Sequence, residues 1–192
     1  MIDIHFDALD NSDYLFVEKF WRNKLMKAGL LLLMIISAML MAATTICAYE
    51  VATHDAIATL KDAKGNTMGL ATFTEEASGL VRINVNASGL TPGLHGIPIH
   101  NKGNCTGPSF ISAGEHYNPL GKEHGLNNPK GPHAGDLYNL EVGEDGMGHT
   151  NITTTLVTLS PGSTTLFTAS GTSLVIHANP DDQMTSPSGN SG

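Results

Sequence analysis

Cysteine and basic side chains are scarce in this sequence. Two cysteines in 192 residues exclude a disulfide scaffold and any metal site built wholly from thiolates. Ten Lys and Arg stand against 18 Asp and Glu, a formal charge of −8. That balance leaves no basic face for nucleic-acid phosphates. Helical periodicity is missing after residue 50. There is no G-x-S-x-G, no glycine-rich phosphate loop after a strand, and no positional signature around Cys105, so nothing points to nucleophilic catalysis. What is plentiful is glycine, 21 residues, with nine prolines and only 15% charged residues, the composition of a turn-rich β domain. A hydrophobic share of 41% is too high for a chain disordered throughout. Nine histidines are the most informative count.

The N-terminal quarter reads as targeting rather than fold. Lys24 and Lys27 precede an apolar run from Ala28 to Ala43, and small or short residues follow up to Ala48. The run is shorter than the roughly 20 residues of a membrane span, so residues 26–48 read as a secretory signal peptide cleaved after Ala48. An uncleaved membrane anchor is the alternative. Residues 1–25 do not belong to such a signal; they are an upstream extension, untranslated if synthesis starts at Met26. The expected mature domain is 49–192, secreted, periplasmic or in the cell envelope, with no membrane part once the signal is removed. It carries 6 basic and 13 acidic residues, a formal charge of −7, and Cys105 is its one cysteine, without an internal partner.

Seven short strands are expected in this domain. Residues 53–60 are weakly strand-like, and 68–74 follow the Gly65-Asn66 turn. In 81–85, Val81, Ile83 and Val85 alternate with Arg82 and Asn84, a clear period of two. Residues 94–100, 137–142, 151–159 and 174–176 complete the set, and 181–192 reads as a polar, structureless tail. Frequent turns between short strands predict an all-β antiparallel sandwich or barrel. The long loop 101–135, rich in Gly, Pro, Asn and Ser, is the exception, and loops of that length are usually functional.

That loop holds His116, His124 and His133, with Asp136 where the next strand begins; the gaps are 8, 9 and 3. Three neutral imidazoles and a carboxylate form a closed set suited to zinc, and metal bonds would hold a loop with little apolar burial. Solvated loop histidines are the plain alternative. His100 and His177 each end an apolar strand, Ile97-Pro-Ile-His100 and Leu174-Val-Ile-His177. By strand parity Pro98 and His100 share a face and His95 points to the other. A histidine at a strand end is more often packed than a ligand, but two beside a histidine-rich loop suggest more. Three Asn-x-Ser/Thr sequons, at Asn86, Asn104 and Asn151, arise readily by chance and matter only in a eukaryote.

The segments Gly89-Leu-Thr-Pro-Gly-Leu-His-Gly-Ile-Pro-Ile-His100, Ser112-Ala-Gly-Glu-His-Tyr-Asn-Pro-Leu120, Lys122-Glu-His-Gly125, Pro132-His-Ala-Gly-Asp-Leu137 and Leu174-Val-Ile-His-Ala-Asn-Pro-Asp-Asp182 resemble the copper/zinc superoxide dismutases, in the family's order, from about Thr53 to Gly192. The resemblance implies a Greek-key β-sandwich or barrel with a long metal-binding loop. It implies His116, His124, His133 and Asp136 as zinc ligands, and His100, His116 and His177 as copper ligands, His116 bridging the two metals. Asp181 becomes the carboxylate that orients ligands of both metals, and His95 a structural histidine.

Three departures follow from the same resemblance. Pro98 stands where the family has a copper-binding histidine, and proline has no donor atom for a metal. The family continues past a segment like Ser188-Gly-Asn-Ser-Gly192 into an arginine that guides superoxide, a cysteine that pairs with the one matched by Cys105, and a final strand. Without that strand a sheet edge is expected to stand open. The one arginine of the mature domain, Arg82, lies far in sequence from the metal motifs, and an acidic chain offers little steering to an anion. Two function classes therefore compete. One is a dismutase-like metal-binding protein that holds zinc and has little activity. The other is an extracytoplasmic superoxide dismutase with a three-histidine copper site. A product of a disrupted gene is a third reading, and a homo-oligomer is compatible with each.

Overall fold

The computed structural model describes residues 54–192; the expected extension 1–25, the signal peptide 26–48 and the first residues of the domain lie outside the described residues. Eight short strands form: β1 (His54–Lys61), β2 (Thr67–Glu75), β3 (Val81–Ala87), β4 (Gly93–His95), β5 (Ile99–His100), β6 (Leu140–Val142), β7 (Gly148–Thr154) and β8 (Ser173–Leu174). Every strand pair is antiparallel. A six-stranded sheet has the order β1-β2-β3-β7-β6-β4, and β5 pairs with β8 in a second, two-stranded sheet. The chain leaves β3, forms β4, and returns as the β6-β7 hairpin between them, a Greek-key crossing. The all-β expectation holds, and the long loop contains a single turn of 3-10 helix, Ile111–Ala113.

Sequence alternation sets the core. In β3 the odd positions Val81, Ile83, Val85 and Ala87 are buried, while Arg82 and Asn86 face solvent. Ile97, Ile99, Leu140 and Val157 join them with almost no exposure. Each such side chain contributes about 1.5–3 kcal/mol by leaving water.

The departures from expectation have local causes. The expected strand 94–100 is two strands in different sheets: β4 pairs with β6, and β5 with β8. The chain crosses between sheets at Gly96-Ile97-Pro98, where proline cannot donate to a ladder. The expected strand 151–159 ends at Thr154, because the Glu75 carboxylate accepts the N–H groups of Leu159 and Ser160. The strand expected over 137–142 begins only at Leu140, since Leu137 and Asn139 engage Gln183 and Asp181. The tail is not structureless. Asp182 accepts the N–H groups of Met184 and Thr185, and Asp182 N–H donates to Gly189. Asp181, Gln183 and Ser191 are buried. Aspartate-capped turns order this polar segment without apolar periodicity.

Candidate metal centre

Three backbone hydrogen bonds assemble the centre. Ile99 N–H donates to Gly135 at 2.8 Å, Gly135 N–H to Tyr117 at 2.8 Å, and Tyr117 N–H to Ile99 at 2.7 Å. The ring ties together three segments, each next to a residue of interest: His100, His116 and Asp136. Gly135 has to be glycine, because a Cβ there would run into the Ile99 carbonyl. His177 joins through its N–H to the Gly96 carbonyl, 2.8 Å, beside Val175 N–H bound to Pro98, 3.1 Å.

His116, His124, His133 and Asp136 are all buried, and their candidate ligand atoms lie within 4.8 Å of one another. The three Nδ1 atoms stand 2.9, 3.1 and 3.4 Å from one oxygen, Oδ1 of Asp136. Tetrahedral zinc with bonds of about 2.0–2.1 Å needs ligand atoms about 3.3 Å apart, so the four fit such an ion. The other Asp136 oxygen accepts the N–H groups of Gly125, 2.8 Å, and His133, 2.9 Å. Burial works against the Asp136 charge, but the hydrogen bonds from His116, His124, His133 and Gly125 outweigh it and hold its pKa far below the carboxylate range. Burial also opposes protonation of His124, yet its bonds to Asp136 and Asp181 raise its pKa.

His100, His116 and His177 form a second group within 4.8 Å, sharing His116 with the first. His100 Nδ1 faces the Gly114 carbonyl at 2.8 Å, so it carries the proton and leaves Nε2 as a bare lone pair. That atom is 3.2 Å from His177 Nε2. His116 Nδ1 is turned to Asp136, and its buried Nε2 has no hydrogen-bond partner among the described residues. Burial lowers the pKa of His100 to about 4, with its neighbours His116 and His177 adding to the effect against the Gly114 bond. Burial, then His116, lowers that of His177 as well. Both rings are therefore neutral near pH 7, the form a metal requires. Three imidazole nitrogens suit copper or zinc.

Residues 67–192 match the family described as copper/zinc superoxide dismutase. The chain belongs to that family. It is 43% identical over 137 residues to superoxide dismutase [Cu-Zn] 2 of Aquifex aeolicus, covering 70% of this chain and 80% of that protein. It is 42% identical over 135 residues to the superoxide dismutase-like protein YojM of Bacillus subtilis, covering 69% of each. The crystal structure of a SOD-like protein from Bacillus subtilis superposes with a TM-score of 0.68 at 40% identity, over 71% of this chain and 91% of that one.

Within this dismutase-like frame, Pro98 is almost fully buried beside His100 and supplies no ligand atom. Asp181 reaches His124 Nε2 at 2.9 Å. Its hydrogen bonds in the structure are to the zinc-side histidine, Gln183 N–H and Asn139, with none to His100 or His177 among those described. Asp181 thus touches one histidine of the quartet, and Pro98 offers it no side-chain donor. His95 is structural, as its opposite facing implies: its Nδ1 lies 2.7 Å from the His177 carbonyl, and its Nε2 lies beside the Thr91 carbonyl, 2.8 Å, and hydroxyl, 3.3 Å. Cys105 is a free, half-buried thiol whose pKa burial raises, which favours the thiol over the thiolate. Arg82 pairs with Glu76 at 2.6 Å on β3.

Sequence reasoning missed the Gly114 carbonyl that sets the His100 tautomer, and the Thr91 and His177 carbonyls around His95, because a backbone acceptor has no side-chain signature. It also missed Glu75, a buried carboxylate whose place at the end of an alternating strand was its only signal.

Proposed function

We propose that this is a zinc-holding, superoxide dismutase-like protein of the cell envelope with little or no dismutase activity. The observation that carries this reading is Pro98: the zinc quartet is complete, while the neighbouring group has three imidazoles and a proline. His116, His124, His133 and Asp136 would hold zinc, and the ion would replace the hydrogen bonds that now converge on Asp136. A closed four-ligand zinc site is structural, so the ion would fix the long loop rather than activate water. The envelope placement rests on the signal-like residues 26–48.

A second reading, an active extracytoplasmic dismutase, draws support from the convergence of His100, His116 and His177 and from the buried His116 Nε2, which has no hydrogen-bond partner among the described residues. Copper there would supply one-electron oxidation and reduction, turning two superoxide ions and two protons into dioxygen and hydrogen peroxide. The chain's own part would be to hold three neutral rings, with Gly114 fixing the His100 tautomer.

Metal content after incubation with zinc and copper, then extensive dialysis, separates the two. One zinc and no copper per chain, with no dismutation above free copper, is the expected result. One copper per chain with dismutation above that background would overturn the first reading in favour of the second. Absence of zinc would overturn both.

A further inference from the structure

The trio His100, His116 and His177 differs in kind from the quartet beside it. The quartet has four side chains, one of them a carboxylate; the trio has three imidazoles and no fourth ligand among the described residues. Pro98, which precedes Ile99 and His100 in the chain, has no donor atom to add.

The trio is nevertheless arranged for an ion. The Gly114 carbonyl holds His100 through Nδ1 at 2.8 Å, and Asp136 holds His116 through Nδ1 at 2.9 Å. Such partners behind the rings orient metal-binding imidazoles. His116 Nε2 is buried and has no hydrogen-bond partner among the described residues. His100 Nε2 and His177 Nε2 are 3.2 Å apart. Bonds of about 2.0–2.1 Å put neighbouring ligand atoms about 3.3 Å apart in a tetrahedron and about 2.9 Å apart in a square. The observed spacing is nearer the tetrahedron of zinc than the square favoured by copper(II). His100 and His116 are buried, but His177 only partly, so water has access from the His177 side. Zinc held by four side chains is structural, whereas zinc held by three keeps a water and makes it a nucleophile near neutral pH. With 18 Asp and Glu against 10 Lys and Arg, the chain disfavours anions and leaves uncharged substrates unopposed.

We propose that His100, His116 and His177 form a second zinc site, open at one corner, that hydrolyses small uncharged esters. The oxygen of the water bonds to the carbonyl carbon, the bond from that carbon to the alcohol oxygen breaks, and a proton of the water leaves with the alcohol. Ester and water give acid and alcohol, with no electron transferred. The second ion is held more weakly than the first, because no carboxylate offsets its charge and a like charge stands across His116; dialysis removes it. The inference rests on the zinc-holding reading, which supplies the first ion.

The test starts from protein incubated with zinc and dialysed, which keeps that first ion. Calorimetric titration with zinc counts the second, the visible absorption of cobalt(II) added in its place reports its geometry, and para-nitrophenyl acetate is the ester. One further zinc per chain, a four-coordinate cobalt spectrum, and hydrolysis above that of free zinc appearing only with the second ion are expected. His177→Gln should weaken both the second zinc and hydrolysis about tenfold or more, with the first zinc retained as the check on folding. Pro98→His should supply the fourth ligand, tighten the second zinc and abolish hydrolysis. With the first zinc in place, three results would overturn the proposal alone: no further zinc, a second zinc without hydrolysis, or Pro98→His hydrolysing as fast as wild type. Loss of the first zinc on dialysis would overturn the zinc-holding reading, and this inference with it.

Discussion

Replacing Asp136 should expose how the loop is held. Its carboxylate has two tasks in the structure. One oxygen takes the buried N–H groups of Gly125 and His133, and the other faces the three histidine Nδ1 atoms. Asp136→Ala leaves both amides without an acceptor, at about 1–3 kcal/mol each, or about 2–6 kcal/mol together. Against a total stability of about 5–15 kcal/mol, that is a large loss. Asp136→Asn can keep its oxygen on the two amides and turn its NH₂ toward the imidazoles. Its cost in metal-free protein should be about 1.5–3 kcal/mol, from the lost charge-assisted bonds. The variants should then part on adding zinc. A ligand at a thousand times its dissociation constant stabilises the native state by about 4 kcal/mol, a gain expected for the wild type and largely lost in Asp136→Asn. Urea unfolding, followed with chelator and then with excess zinc, reads both quantities, provided the m-value stays constant. Two results would refute the reasoning: metal-free Asp136→Ala within 1 kcal/mol of wild type, or zinc stabilising Asp136→Asn as fully as wild type.

Pro98→His should let one copper per chain survive dialysis where wild type keeps none, with zinc content unchanged as the check on folding. Unchanged copper retention would show that position 98 does not limit the copper site. Glu75 titrates in the acid limb of stability. Burial raises its pKa, but the Ser160 and Leu159 bonds outweigh this and lower it. Its contribution is therefore present above the unfolded value of about 4.3 and lost as pH falls through the lower folded value. Glu75→Gln should cost about 1.5–3 kcal/mol near pH 7 and flatten the acid limb in chemical denaturation; an unaltered slope would contradict the assignment.

Much of this architecture was legible in the residues. The strict alternation in Val81–Ala87 located a central strand, because burial on one face forces a period of two. The spacing of His116, His124, His133 and Asp136 suggested a zinc-like quartet against the alternative of solvated loop histidines, and the family resemblance implied it. Other features were hidden for physical reasons. The split between β4 and β5 depends on which sheet supplies hydrogen-bond partners, and an apolar run looks alike in either. The order in the tail comes from aspartate side chains capping local turns, and such turns leave no periodic signal. Glu75 drew no attention in the sequence, since its partners lie about 85 residues away.

The ring of bonds among Ile99, Tyr117 and Gly135 bears on the order of folding. Its corners are spaced evenly along the chain, so the two loops between them cost nearly the same entropy to close. Neither loop completes the ring alone. Closing the loop between Tyr117 and Gly135 gathers His116, His124, His133 and Asp136, while His100 joins only when the loop from Ile99 closes. An ion held by that quartet would therefore favour the Tyr117–Gly135 closure before His100 arrives. Zinc added to refolding protein should speed folding as well as slow unfolding.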